Sequence, residues 1–290
     1  MAITIERLTS AHALSLCEQL QQEISGVVVA PIPLMVAVQR SGGLIIGARD
    51  DTSPEQTELC GVLIDLAGPE RRAPSCRCRQ TVFHGVKREI RNRGVGRALR
   101  LHERKEAGKE GVSLITWPID PLRSLELHMA FNKLAAIATT YERNLYGVRQ
   151  DPRDRGLATD RLTVEWWIDS LRVTEVIDKG RLPHHFHLGL NQMEVVTKTR
   201  PAANGLRRLL SFEESPTNRI ILVEIPVDLD RMREEDLPLA RDWRLKTRDM
   251  FERLLSGGYT ITGFIHEAGR SFHLLERAEK GTILERTPVE

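Results

Sequence analysis

Cysteine is scarce. Cys17, Cys60, Cys76 and Cys78 are the four in 290 residues, too few and too irregular for a disulfide framework. Cys76-x-Cys78 is one residue short of a redox Cys-x-x-Cys pair, and no second pair accompanies it to build a zinc site. Aromatic residues make up only 5% of the chain, without the interleaving a single-strand nucleic-acid platform needs. No run approaches the roughly 18 apolar residues of a membrane helix. Net charge is nearly absent too: 42 basic against 40 acidic side chains exclude a polyanion binder recognisable from bulk charge. Glu6, Arg7 and His12 interrupt any signal-peptide pattern at the start, so the expectation is a cytoplasmic protein.

What is present is enough apolar residue, 41%, to bury the core of one large domain or two smaller ones. The charge that exists is unevenly placed. Between Arg71 and Lys109 stand 13 Lys or Arg and only 3 acids, within a chain that has 34 Arg to 8 Lys. A solvated basic face is one reading of this run. The glycines embedded in it suggest another, a site for a phosphorylated ligand, and rank nucleic acid third.

Apolar spacing predicts a strand at Ile3–Ile5 and a helix over Ala11–Ile24 capped by Ser10. A short helix or turn follows at Leu34–Gln39, then strands at Leu44–Ala48 and Cys60–Leu66. Ala67–Arg79 reads as a loop, Thr81–Val86 as a strand, and Gly94–Lys109 as a helix. Val112–Trp117 is the next strand, a parallel neighbour of 81–86 by the crossover rule. A helix over Arg123–Leu134 and strands at Ile137–Tyr141 and Leu162–Trp167 complete an α/β unit over residues 1–170. Residues 171–218 read as irregular. Then come strand Ile220–Ile225, helix Pro238–Leu255 and a hairpin of Thr260–Ile265 with Ser271–Leu275. This tail, 171–290, is an α/β extension expected to pack on the first domain. Its strand–helix–strand–strand order repeats that of 112–167, an echo of order rather than of residues. Common elements falling in the same order by coincidence and a degenerate partial repeat both account for it.

Arg91-Asn92-Arg93-Gly94-Val95-Gly96 lies between a strand and a helix. A pyrophosphate needs converging backbone N–H groups, and glycines at 94 and 96 clear that approach while the helix start adds unpaired N–H groups and positive dipole. Arg91, Arg93 and Arg97 bring bidentate cationic charge. The third glycine and trailing acid of a dinucleotide fingerprint are missing, as is the Gly-Lys-Ser/Thr of a triphosphate loop. Plain turn chemistry is the competing account.

Residues 1–170 resemble a GNAT-superfamily acyltransferase. Arg91, Gly94 and Gly96 match that family's Arg/Gln-x-x-Gly-x-Gly/Ala loop after its fourth strand. Trp117, Asp120, Pro121, Leu122, Tyr141, Tyr146-Gly147, Asp160-Arg161 and Trp166 resemble a bacterial group known only as predicted acetyltransferases, and Ile225-Pro226 and Leu239–Arg244 extend the likeness into the tail. The resemblance implies a mixed central sheet flanked by helices. It implies acetyl-coenzyme A, or another acyl-coenzyme A such as succinyl-coenzyme A, as donor. A small amine, with an amino acid as one candidate, is the implied acceptor, because some relatives look like amino-acid N-succinyltransferases. Three positions depart from the pattern: Glu126 stands where relatives have Asn, Ala135 where they have Gly, and Phe131 where a proton-donating Tyr is usual.

On this reading the donor site comprises Phe83, Gly85 and Val86 through their backbones, with Arg91, Asn92, Arg93, Gly94, Val95, Gly96 and Arg97. For proton transfer the candidates are His84, Glu126 and Tyr141. Trp117, Asp120 and Arg161 are assigned to the acceptor, Arg161 as a planar fork for its carboxylate. A turn cap for Asp120, a local pair with Asp160 for Arg161 and a core role for Phe83 are the plainer accounts. His184-His185-Phe186-His187 lacks a further ligand at metal spacing, so no metal is expected. Membrane and nucleic acid are not expected partners, and a homodimer is compatible with the sequence. The leading reading is an acyl-coenzyme A-dependent N-acyltransferase. The alternative is a non-catalytic acyl-coenzyme A-binding or regulatory protein of the same fold.

Overall fold

The computed structural model describes residues 3–50, 58–68, 77–149, 151–181, 193–202 and 205–285. They form two compact units, Met1–Trp117 and Pro118–Glu290, whereas the sequence reading draws its boundary at 170. His184–His187 and Cys76 lie outside the described residues.

In the first unit five strands stand in chain order: β1 (Ile3–Arg7), β2 (Leu44–Asp50), β3 (Leu59–Ala67), β4 (Arg77–Val86) and β5 (Val112–Ile119). β1 to β4 are antiparallel neighbours, and β5 joins β4 in parallel. Both faces are covered, which is why β2 and β3 read as continuous apolar runs. α1 (Ala11–Ser25) and α2 (Ile32–Arg40) lay Leu14, Cys17, Leu20, Met35 and Val38 against Val62, Ile64 and Phe83. On the other face α3 (Val95–Lys109) packs Val95 and Leu99 on Leu44, Ile46 and Leu63. Ser10 caps α1 by accepting from the Ala13 N–H at 3.1 Å. β4 begins at Arg77, inside the stretch expected to be loop, because Arg77 to Gln80 find partners on β5.

The second unit has its own sheet order. β7 (Arg161–Trp167) and β6 (Ile137–Glu142) are followed by β12 (Tyr259–Glu267), β13 (Arg270–Arg277), β11 (Ile220–Ile225) and β8 (Glu194–Val195). All are antiparallel except the β8–β11 pair. β9 (Thr197–Pro201) and β10 (Arg207–Phe212) make a separate hairpin in a stretch that reads as irregular. Its helices are α4 (Ser124–Leu127), α5 (Leu171–Ile177), α6 (Leu229–Glu235), α7 (Leu237–Ser256) and α8 (Lys280–Leu284). Asp236 caps α7 through the Leu239 N–H, Pro238 sits in its first turn, and Leu239, Ala240, Trp243, Met250, Phe251 and Leu254 form its buried stripe.

The expected helix over 123–134 is not uniform. α4 lasts one turn and continues as a π turn over His128–Lys133. The wider turn is fixed by Asn132, whose amide donates to the Phe264 carbonyl at 2.8 Å and accepts from the Phe264 N–H at 3.2 Å. It closes on Ala135, which is buried with φ 55°, at the position where the family resemblance expects glycine. A Cβ in the left-handed region is strained. Ala135→Gly is expected to raise unfolding stability by about 0.5–1 kcal/mol, read from urea denaturation; no change, or a loss, would show that the Cβ packing outweighs the strain.

Candidate functional site

The sequence-predicted residues fall into two groups, one in each unit. In the first unit the ladder between β4 and β5 runs from Arg77↔Val112 to Gln80↔Thr116. The next residues on the two strands, Thr81 and Trp117, are both in contact with Arg100 of α3. Its guanidinium donates to Thr81 Oγ1 at 2.6 Å and lies 3.9 Å from the Trp117 ring centroid. Glu103, one turn further along α3, accepts from Arg100 at 2.9 Å and from Thr81 Oγ1 at 2.7 Å. Arg100, Glu103 and Thr81 are all buried. The ladder ends at this knot, which leaves β4 with an edge that β5 does not pair from Thr81 onward.

Which backbone groups face that edge follows from the antiparallel alternation. Lys87 N–H donates to the Cys60 carbonyl at 2.9 Å, so in the regular register of Val86↔Gly61 to Phe83↔Ile64 the backbone groups of Gly85 and Phe83 are spent on β3. Those of His84 and Val86 turn the other way. The Val86 carbonyl does so visibly, accepting from Arg91 Nε at 3.2 Å. Phe83 and Gly85 therefore do not offer backbone groups to a ligand, as the sequence reading had them do. Phe83 is core, and Gly85 lets α1 approach, since a Cβ there would stand 2.9 Å from Ile24.

Beyond β4 a 3₁₀ turn at Arg88–Ile90 leads into the glycine loop. Asn92 (φ 62°) and Gly94 (φ 86°) are both left-handed, which folds the chain tightly ahead of α3. Gly94 is the N-cap and has no side chain to cap with. The first-turn N–H groups, on Val95, Gly96 and Arg97, have no partner within the helix. Arg91, Asn92, Arg93 and Gly94 are exposed. The loop thus presents an uncapped, positively polarised helix end with arginines around it, next to an open strand edge.

His84 links the two features. Its Nε2 stands 3.1 Å from the Gly96 carbonyl, which can only accept, so the imidazole carries its proton there. Burial, and then the Arg100 charge, push its pKa down from 6.5 to about 3. A neutral imidazole pinned by a carbonyl is poorly suited to take a proton from an amine at neutral pH. The geometry is that of a group holding α3 to β4. Nearby Asp65, fully buried, is pushed up to about 7 by burial and by Glu103, although it accepts from Arg79 at 2.6 Å and from the Leu44 N–H at 2.8 Å.

In the second unit Asp120, Tyr141 and Arg161 belong to one buried ionic cluster, and Glu126 is apart. Asp120 Oδ1 accepts from the Leu122 N–H at 2.9 Å and Oδ2 from Arg244 at 2.6 Å, with Arg123 and Arg161 each at 3.8 Å. Burial alone would raise its pKa, but those three charges together hold it well below the usual carboxylate range. Arg161 donates to Asp154 at 2.7 Å and to the Asp160 carbonyl at 3.0 Å. The Asp160 carboxylate, its expected local partner, goes instead to Arg248 (2.8 Å), Tyr141 (2.8 Å) and the Asn144 N–H (2.8 Å). Burial and Asp160 raise the Tyr141 phenol well above its ordinary value. Glu126 pairs with Arg153, and Phe131 is fully buried. Arg161, Asp120 and Tyr141 thus have protein partners, and Trp117 lies beneath a guanidinium. Sequence reasoning missed Arg100, Glu103 and Arg244. Among the described residues no group of three or more His, Cys, Asp or Glu is placed to hold a metal ion, and no helix is long and apolar enough to cross a membrane.

No protein-family model matches the chain, and no curated protein does. Solved structures similar to it include the ribosomal-protein-S18-alanine N-acetyltransferase of Escherichia coli, 15% identical over 57% of this chain and 92% of that one, with a TM-score of 0.45. Arabidopsis thaliana NAA60 in complex with a bisubstrate analogue is 15% identical over 57% and 98%, TM-score 0.48. A GNAT family acetyltransferase from Elizabethkingia anophelis with acetyl-CoA bound is 15% identical over 57% and 97%, TM-score 0.39. These likenesses include bacterial and plant proteins and single out no bacterial group. None reaches a TM-score of 0.5, and the chemistry of the site is taken from this chain's own residues.

His84 makes one pH dependence testable. Between pH 6.5 and 3 the unfolded chain holds a proton on this histidine that the folded chain refuses, so its contribution to stability is lost as pH falls through that window. The slope is at most about 1.4 kcal/mol per pH unit, and less because the ring is only half-buried. His84→Gln, which keeps a donor for the Gly96 carbonyl, is expected to flatten the acid limb in urea melts from pH 7 to 4. Parallel wild-type and variant curves would reject the buried neutral imidazole.

Proposed function

We propose that the first unit binds an acyl-coenzyme A and that the protein transfers its acyl group to a small amine. One observation carries this: the uncapped, exposed N-terminus of α3 behind the left-handed Asn92 and Gly94 adjoins a β4 edge that β5 does not pair beyond Gln80. The helix end and the loop N–H groups suit a pyrophosphate, and Arg91, Arg93 and Arg97 add charge for it. The edge groups of His84 and Val86 suit the amides of an extended pantetheine arm, paired as a strand would be. When bound, the donor supplies a thioester: the amine forms the C–N bond, the C–S bond breaks, and the thiol leaves with the proton the amine gives up. The chain's part is to hold donor and acceptor together, which is where most of the rate comes from in such transfers. His84 holds the Gly96 carbonyl and so the loop. Acetyl and succinyl donors both fit this reading, and an amino-acid-like amine is the acceptor class it favours.

A second reading has a specific observation behind it. His84 is neutral and pinned, the Tyr141 hydroxyl donates to Asp160, and position 131 is phenylalanine. A protein that binds acyl-coenzyme A without turning it over fits those facts. Binding with no thiol release across a panel of amines would favour it over the enzyme.

Donor binding itself is tested at Gly94. A Cβ there meets nothing within 4 Å, so Gly94→Val acts through its left-handed φ, at about 1–3 kcal/mol. It is expected to weaken acetyl-coenzyme A binding at least about tenfold in calorimetry while the protein stays folded. Gly94→Asn, which tolerates the left-handed region, keeps the comparison open if the valine variant unfolds. Unchanged affinity in a folded Gly94→Val protein would remove the loop from the donor site.

A further inference from the structure

Two ladders of the second unit share one register. β6 and β7 pair Ile137↔Glu165 and Ala138↔Val164, skip Thr139, and resume at Thr140↔Thr163, Tyr141↔Leu162 and Glu142↔Arg161. β12 and β13 pair Thr260↔Glu276 and Ile261↔Leu275, skip Thr262, and resume at Gly263↔Leu274, Phe264↔His273 and Ile265↔Phe272. The bulge falls at the same step, on a threonine in both, with a glutamate at the same position of the partner strand. A bulge is a specific device rather than a defect, so its recurrence in register is more than an echo of order. The same tripeptide pattern stands where the strand that precedes each ladder ends, Pro118-Ile119-Asp120 across the last residues of β5 and Pro226-Val227-Asp228 just after β11. Both aspartates accept a backbone N–H just beyond, from Leu122 and Arg231.

The ladders meet where β6 and β12 pair antiparallel through Ala138↔Ile261. Those two residues are equivalent in the register above. An antiparallel pairing of equivalents places a local twofold axis between them, the geometry of an isologous interface. Side chains obey it as well. Tyr141 of β6 is stacked on Phe251 of α7, with ring centroids 5.9 Å apart. Its equivalent, Phe264 of β12, meets His128 of the π turn edge-on at 6.3 Å. Each half's helix covers the other half's strand.

What differs is the segment before β11. β8 pairs in parallel with β11, as β4 does with β5, but β9 and β10 then stand where α3 and its glycine loop stand in the first unit's order. Where β8 leaves β11, Glu224 is buried and closed in. It accepts from Thr199 at 2.6 Å and Arg270 at 2.5 Å, forms an ion pair with Arg207 at 2.8 Å, and its N–H donates to Thr197 Oγ1 at 2.9 Å. Trp243 Nε1 ties the hairpin to α7 through the Arg207 carbonyl at 2.8 Å.

We infer that β11, α6, α7, β12 and β13 are a degenerate second copy of the strand–helix–strand–strand segment before them, and that this copy acts as a built-in partner subunit with no donor site of its own. It covers the β6 edge that another chain would otherwise use. The protein is then a monomer that takes one acyl-coenzyme A per chain. The stoichiometry rests on the donor-site reading above; the monomeric state does not.

Light scattering on the full-length protein and titration with acetyl-coenzyme A test the two parts. The expected results are the mass of one chain and one donor bound per chain. Glu224→Gln should lower the melting temperature yet shift donor affinity by less than about twofold, as befits a structural cage that shares no partner with the donor-site residues. Two donors per chain, a Glu224→Gln effect on donor affinity above that limit, or a stable dimer would each overturn the inference. If no donor binds at all, the donor-site reading falls, and the measured mass still decides for or against the built-in partner.

Discussion

Arg100 is a full positive charge with almost no access to water, and the form of the first unit turns on where that charge is spent. It is shared between Glu103, Thr81 and the face of Trp117. A buried ion pair of this kind is weak grounds for stability, because desolvation offsets most of its attraction and an apolar replacement can do as well. Its consequence is geometric. Two parallel strands in register gain a hydrogen bond at every step, and β4 and β5 stop doing so after Gln80↔Thr116. Where the pairing ends, the guanidinium stacked on the Trp117 indole also holds Thr81, so both strands are tied to α3 at that step.

The open edge would mean little without the loop beside it. Asn92 and Gly94 turn left-handed within three residues and leave α3 without a side-chain cap. A helix normally has its first N–H groups satisfied by a serine, threonine or aspartate, as Ser10, Ser170, Asp228 and Asp236 do elsewhere in this chain. α2, α4 and α8 also start without a side-chain cap; what sets α3 apart is a left-handed glycine at its start, preceded by exposed Arg91 and Arg93. His84 fastens that end to β4 without a charge of its own, so its hold on Gly96 adds no cation to those the arginines already bring.

Much of this was legible in the residues. Strand and helix spacing located the elements up to β7 and then β11, α7, β12 and β13, though not α5, β8, β9, β10, α6 or α8. The glycines at 94 and 96 marked the loop, and the period of two split Trp166 into the core and left Trp167 half-exposed. The parallel pairing of β4 and β5 was legible too, though not that it would last only four residues of β4. What hid was charge on the wrong side. On α3 the buried set is Val95, Leu99, Arg100, Glu103 and Ala107, and to a pattern of apolar and polar letters the two charges belong to the solvent face. Arg244 on α7 and Glu224 on β11 were concealed in the same way. An arginine and a glutamate three apart on an apolar stripe is the signal that could have exposed the first pair. The backbone roles of Phe83 and Gly85 were out of reach for another reason: which alternate residues face β3 depends on register, and register is set by partners distant in the chain.

The same dependence explains why the second half of the chain keeps its seam and not its site. Across β6 and β12 both ladders must agree: if one slipped by a residue, every side chain near the Ala138↔Ile261 pair would change faces, and Tyr141 would leave Phe251 just as Phe264 would leave His128. The bulges at Thr139 and Thr262 re-aim their strands by the same step, so a change in one half strains the other. The segment before β11 lies outside that seam. It could exchange a helix and a glycine loop for a hairpin, provided the buried edge left by β8 was closed. Glu224, with Thr199, Arg207 and Arg270 around it, closes it with charges that satisfy one another. Constraint at the seam and freedom at the far edge are enough to turn a repeated segment into a permanent partner.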